Sequence, residues 1–401
     1  MDNRWKRTLY LVWIIQIFSL MSFSFGLPFL PFYIQDLGVT DPEKLRLFTG
    51  ILSSAPAIGM GIMAPIWGMI ADRYGKKPML LRAMLSAALI LTGLGLVNSV
   101  TGVLILRVMQ GFLTGTITAA SALVAGETPK EKMAYALGFM VSASFIGRTV
   151  GPAVGGVLAE TVGYKPSFFL GGVTMLMCFF LVLFFVKETK KAAIKHESKG
   201  IKNVLSVLTV PVVLMLGTIF ALRIGQSVAR PYLPLYVQQV RGTIEGSAMT
   251  TGLISAGASI MAALAALTLP KLGDKYGRKK LSKIYLVSGI IISIPLILSK
   301  SLIGFGIFYA ILFFVLTAIE PMMMSDTLDM VPDKKHGLLF GIRATVGSIA
   351  WAVSPMLGSA VSINFSLEAV FYMIPVFLAV TLGMIFFIKK KNLIYPPGGF
   401  H

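Results

Sequence analysis

Leu27-Pro28-Phe29-Leu30-Pro31-Phe32-Tyr33 returns 203 residues later as Arg230-Pro231-Tyr232-Leu233-Pro234-Leu235-Tyr236. Ala71-Asp72-Arg73-Tyr74-Gly75-Lys76-Lys77 returns 202 residues later as Gly273-Asp274-Lys275-Tyr276-Gly277-Arg278-Lys279. The register holds further on, where Glu127-Thr128-Pro129 aligns with Asp329-Met330-Val331-Pro332 and Gly151-Pro152 with Ser354-Pro355. Four matches in order at an offset of 202 or 203 are an internal repeat, and a repeat of this length is a repeated architecture.

Between the matched segments the chain is apolar: 56% of its 401 residues are hydrophobic and 13% charged, too little polar surface to cover a water-soluble globule of this size. A bilayer span needs about 20 mostly apolar residues. Twelve such stretches are expected, over 8–34, 47–70, 78–98, 101–125, 136–160, 166–186, 211–238, 249–271, 281–299, 301–330, 338–362 and 367–388. Runs such as Ser167 to Val186 lack the alternation of a barrel strand, so backbone satisfaction in lipid demands helices. The expected fold class is an all-α membrane protein with two six-helix bundles, 1–186 and 204–401, joined by a Lys-rich cytoplasmic linker over 187–203. Six spans separate equivalent positions, so the copies share orientation and are expected to be related by a pseudo-twofold axis along the membrane normal, with a cleft between them.

The formal charge of +19 is distributed by topology. Lys and Arg crowd the amino terminus, the even-numbered loops and the tail, whereas the odd-numbered loops hold only Lys44, Arg46, Lys165, Arg241 and Lys300. That places both termini in the cytoplasm of a multi-pass cell-membrane protein. The scatter of basic residues along the chain argues against nucleic acid. Cys178 stands alone, which excludes an intrachain disulfide. No metal site or cofactor is expected, and no phosphate-binding Gly-rich loop, paired-His motif or nucleophile elbow points to an enzyme or an ATP-driven pump.

Gly68-Met69-Ile70-Ala71-Asp72-Arg73-Tyr74-Gly75-Lys76-Lys77 ends the second span and turns tightly into the third. Gly68 suits close helix approach, Asp72 can face a helix amino terminus, and Gly75 permits the turn. This segment resembles the loop signature of the major facilitator superfamily. Leu106-Arg107-Val108-Met109-Gln110-Gly111 resembles its second motif, a buried Arg followed by Gln-Gly, and Gly147-Arg148-Thr149-Val150-Gly151-Pro152-Ala153-Val154-Gly155-Gly156 resembles the motif of its drug:proton antiporters. The chain as a whole is similar to the MdtG-like branch of multidrug efflux proteins. The resemblance implies export of drugs or other amphiphiles against inward proton flow. It also implies that Asp72 and Arg73 latch the cytoplasmic side and that Arg107 takes part in proton transfer. For Arg107, a structural Arg bonded to helix carbonyls stays an open alternative. Gly147, Gly151 and Gly155 give a smooth face for close packing and Pro152 a bend.

Charges inside spans are functional candidates by default. Glu320, about 13 Å from the cytoplasmic end at 1.5 Å per residue, is the leading proton carrier, with a permanent salt bridge to an Arg as the alternative. Asp326, nearer the lip, is a gate or a second titrating site. Glu127 and Asp329 occupy equivalent places before a Pro and, with Gly68, Asp72, Arg73, Gly75 and Asp274, make up the expected conformational latch; solvated lip charges are the alternative reading. Arg148 and Arg223, with Gln16, Met323 and Trp351, are expected to line the substrate cleft. Arg230 and Arg343 are read as snorkelling toward the outer and inner faces. The excess of Arg over Glu keeps an anionic lipid, glycolipid or organic anion open as cargo. An uptake permease and a membrane scaffold are the remaining rivals. The expected partners are a small-molecule substrate, protons and the lipid bilayer, and nothing in the chain demands more than a monomer.

Overall fold

The computed structural model describes residues 4–189, 207–332 and 335–387. Those residues form twelve helical segments long and apolar enough to cross a membrane, α1 Arg4–Asp36, α2 Pro42–Tyr74, α3 Lys76–Leu96, α4 Val100–Glu127, α5 Lys130–Thr161, α6 Tyr164–Phe185, α7 Val210–Arg241, α8 Ser247–Tyr276, α9 Arg278–Leu298, α10 Leu302–Leu328, α11 His336–Asn364 and α12 Ala369–Phe387. Each expected span is met by one helix. Most of the linker expected over 187–203 lies outside the described residues.

Local chemistry sets the helix ends. Asp41 caps α2 by accepting the Lys44 N–H at 2.8 Å, and Ser99 caps α4 by accepting the Gly102 N–H. The α2–α3 and α8–α9 turns run through Gly75 and Gly277, whose φ values of 104° and 93° would strain any residue bearing a Cβ.

The structure resolves into two compact units, Met1–Lys195 with Pro231–Ser259, and His196–Arg230 with Ile260–His401. In the first, α3 packs along α6, α1 on α5, and α2 on α4. Tyr33, fully buried, donates to the carbonyls of Leu94 and Val97 and ties the end of α1 to that of α3. The α2–α4 crossing is made by Gly59 and Gly111: a Cβ on Gly59 would stand 2.8 Å from the Gly111 backbone, and one on Gly111 would overlap the Pro56 backbone. Gly111→Val should therefore force these helices apart and destabilise the protein by about 1–3 kcal/mol, read as a lowered melting midpoint in detergent.

The end of α7 and the start of α8, within Pro231–Ser259, belong to this first unit. Gly156 lies against Ala248 and Met249, and Gly252 against the Pro152 carbonyl. Phe29 and Phe32 of α1 share a buried cluster with Ala159 and Ala248.

In the second unit α7 contacts α11 and α12, and α9 contacts α10 and α12. Gly289 opens a slot for Leu316 and Leu378, and Gly225 lies against Phe377. Met322 packs with Ala265, Leu269 and Ala318, whereas Met324 joins Val212, Leu216 and Leu339. Met323 is 1% exposed. The Met322-Met323-Met324 run is thus interior filler between helices.

Candidate functional site

A charge cluster inside the helices is built on α7, α10 and α11. Glu320 follows Ala318, where α10 breaks into two helical stretches. Its carboxylate accepts Arg223 Nε at 3.0 Å and Arg223 Nη2 at 2.5 Å. It also accepts Arg343 Nε at 3.0 Å and, more closely still, Arg343 Nη2. The carboxylate side chain is 14% exposed and the two guanidinium groups are 28% and 30% exposed. Four charge-assisted bonds on one carboxylate are strong and geometrically specific. One full positive charge still remains over the triad. Adding a proton to Glu320 would remove its charge and part of the acceptor capacity that the two arginines use, so protonation weakens the triad.

Gly347 shapes this triad. One helical turn beyond Arg343, it faces Arg223 so closely that a Cβ would overlap the guanidinium Nη1. The fit comes from three distant helices, and no local signal in the sequence marks Gly347. Arg343, expected near the inner face, instead reaches Glu320.

Arg230 also departs from its expected snorkelling position. Its guanidinium lies 4.8 Å from the Phe313 ring centroid, eleven residues into α10 from Leu302 and roughly 16 Å along that helix. Tyr309 and Phe305 continue this aromatic wall, with ring centroids 4.8 Å and 5.7 Å apart along the series.

Arg107 is 7% exposed. It donates from Nε to the Leu52 carbonyl at 2.8 Å and from Nη1 to Gln110 Oε1 at 2.6 Å. The Leu52 carbonyl needs a donor because residue 56, four positions on, is a proline without an N–H. In this structure Arg107 does what the structural alternative described.

The first turn motif is held from an unexpected quarter. The first two N–H groups of α3, on Lys76 and Lys77, donate to the Glu188 carboxylate at 2.9 and 3.0 Å. Asp72 is half-buried, and Arg73 is exposed over the Tyr74 ring. A Cβ on Gly68 would meet nothing within 4 Å among the described residues, so close helix approach is not what this glycine provides here. Glu127 accepts the Thr189 N–H at 2.9 Å and its hydroxyl. In the second half, Asp274 and Asp329 both hold Arg278, at 2.9 and 3.3 Å. These pairs are solvated and worth under ~1 kcal/mol each. Asp326 borders the same region.

The antiporter-like glycines sit on α1: Gly147 against Leu20, Gly151 against Ser24, and Gly155 against the Ser24 carbonyl and Phe25. Arg148 and Trp351 are exposed. Gln16 is 1% exposed with both amide atoms lacking a hydrogen-bond partner, so neither it nor Met323 is open to a solute in this state.

Besides Gly347 and Glu188, three residues escaped the sequence reading. Glu160 accepts the N–H groups of Gly246 and Ala248, both at 2.9 Å, and so caps α8. Gln35 and Gln238 exchange two amide hydrogen bonds of 2.9 and 3.0 Å. The repeat offset of 203 relates these two glutamines, and that signal could have paired them.

Comparison with known proteins gives a consistent result. A profile described as the Major Facilitator Superfamily matches residues 12–328 and 246–398. The chain is 32% identical over 396 residues to the multidrug resistance protein MdtG of Proteus mirabilis, covering 98% of this chain and 96% of that one. It is also 32% identical over 391 residues to the multi-drug resistance efflux pump PmrA homolog of Lactococcus lactis, covering 97% and 96%. Among solved structures, a bacterial homolog of the human lysosomal transporter Spinster in an inward-facing, occupied conformation superposes with a TM-score of 0.79 at 15% identity, covering 99% of this chain and all of that one. The D-xylose-proton symporter gives a TM-score of 0.75 at 14% identity, covering 96% and 97%. Twelve apolar helices, the repeated turn motif and near full-length relatives lead to one assignment: this chain is a multi-pass membrane protein that belongs to the Major Facilitator Superfamily.

Proposed function

We propose that the protein is a proton-coupled efflux transporter, exporting drugs or other small amphiphilic organic solutes by alternating access, with both termini in the cytoplasm. The observation that carries the coupling is the triad of Glu320 with Arg223 and Arg343. A carboxylate shared by two cations on different helices loads a proton only when those helices separate, and so links protonation to a change of facing. On the outer side, the Glu160 cap and the Gln35–Gln238 pair must break for the solute to leave outward. The relatives named for multidrug resistance support amphiphilic cargo. Loss of Arg107 or of the glycine face of α5 would act on packing that supports both facing states.

The test is flux in proteoliposomes containing the purified protein and a panel of cationic and neutral dyes. Uphill dye movement driven by an imposed pH gradient, and collapse of that movement on adding a protonophore, are expected. Transport indifferent to the pH gradient would remove the coupling.

A second reading, export of an organic anion or anionic lipid, is favoured by Arg230. It is accessible, set against the Phe305, Tyr309 and Phe313 wall, and adds to the positive charge of the triad. Anionic dyes in the same panel separate the two readings.

A further inference from the structure

The repeat supplies an internal control for one charge inside the membrane. At an offset of 203, Arg230-Pro231-Tyr232 matches Leu27-Pro28-Phe29, and both segments form the same single turn of 3₁₀ helix, within α7 and α1 respectively. The first copy makes this break with a leucine, so the break itself does not call for an arginine. A charge within a span is costly and needs a reason of its own.

The two helices that hold the guanidinium agree on its depth. Arg230 lies eleven residues before Arg241, the end of α7, and Phe313 lies eleven residues after Leu302, the start of α10. Each distance is roughly 16 Å along the helix, near the middle of a hydrocarbon layer about 30 Å thick. The guanidinium stacks on the Phe313 ring, 4.8 Å from its centroid, and Tyr309 backs Phe313 at a centroid separation of 4.8 Å. Both rings are buried, whereas Arg230 is exposed; an exposed arginine at this depth faces a water-filled space and not lipid. Arg223 and Arg343 are taken up by Glu320. Among the described residues no carboxylate or carbonyl accepts a hydrogen bond from Arg230, and its partner is the Phe313 face. A guanidinium stacked in this way keeps its in-plane N–H donors available, set for the two oxygens of a carboxylate. One cation balances one charge, and a second unpaired charge at this depth would be costly, which restricts the ligand to a monocarboxylate on an otherwise apolar body.

We propose that Arg230, positioned by Phe313, is the residue that receives the carboxylate of an amphiphilic organic solute. This rests on the organic-anion reading above and narrows its cargo.

The experiment uses the full-length protein in neutral detergent, with no gradient, and follows its melting midpoint by light scattering. It is titrated with pyrenebutyrate, pyrenebutanol and pyrenebutylammonium, which share one apolar body and differ in the head. Pyrenebutyrate is expected to raise the midpoint most. Arg230→Leu copies the first repeat and should leave the midpoint of the unliganded protein unchanged, while the half-saturating pyrenebutyrate concentration rises about 10- to 100-fold. Phe313→Leu should raise it about two- to fivefold. Arg230→Lys keeps the charge without the planar fork and should fall between wild type and Arg230→Leu; it decides the matter if Arg230→Leu fails to fold. Equal stabilisation of the wild type by pyrenebutanol, or an unchanged pyrenebutyrate affinity in either Arg230 variant, would overturn the proposal. Stabilisation by phosphatidylglycerol that Arg230→Leu abolishes would assign the residue to a lipid headgroup and overturn the solute. Because binding is read at equilibrium, its failure leaves pH-driven flux untouched, and flux indifferent to pH leaves this site standing.

Discussion

Replacing Glu320 with glutamine should reduce solute accumulation driven by a pH gradient to the level of protein-free vesicles. The substitution removes the charge that balances Arg223 and Arg343 and puts an amide N–H₂ where one guanidinium now donates. Breaking a buried ion pair from one side costs about 3–5 kcal/mol. Here both arginines are more than a quarter exposed, so solvent screening brings the expected loss to about 2 kcal/mol. The protein should still fold, with a lower melting midpoint. Glu320→Asp is the control: it keeps the charge but shortens the reach, and partial transport is expected. Accumulation unchanged in Glu320→Gln would remove this carboxylate from the mechanism.

Gly347→Ala is expected to leave the fold intact and uncouple transport. The added methyl group occupies the position of Arg223 Nη1, and what must yield is the far end of a flexible side chain, not backbone. Alanine is favoured over glycine in a helix by about 0.8–1 kcal/mol, which offsets part of the lost Arg223 bonding. The expected outcome is a melting midpoint near wild type together with pH-driven transport well below it. A double variant with Arg223→Ala should transport no worse than Gly347→Ala alone, because both remove the same contact. Wild-type transport in Gly347→Ala would show that the bond from Arg223 is dispensable.

Much of the architecture was written in local pattern. Twelve apolar stretches become twelve helices because lipid leaves the backbone no other way to satisfy its hydrogen bonds, and the Gly75 and Gly277 turns follow from a conformation that favours glycine. Glu320 stood out for the same kind of reason, as the carboxyl deepest in an apolar span. Its partners did not. Arg223 and Arg343 lie 97 and 23 residues away, and from spacing alone either could have reached solvent or another acid.

Composition, periodicity and the repeat thus determined class, span number and the candidate charges, since each of these rests on neighbours along the chain. Tertiary structure decided which groups meet. It placed Arg107 on the carbonyl that Pro56 leaves without a donor, Glu188 at the start of α3, and Gly347 beneath Arg223. Each of these contacts joins segments distant in sequence, and which face of one meets which face of another depends on the packing of side chains from all of them at once.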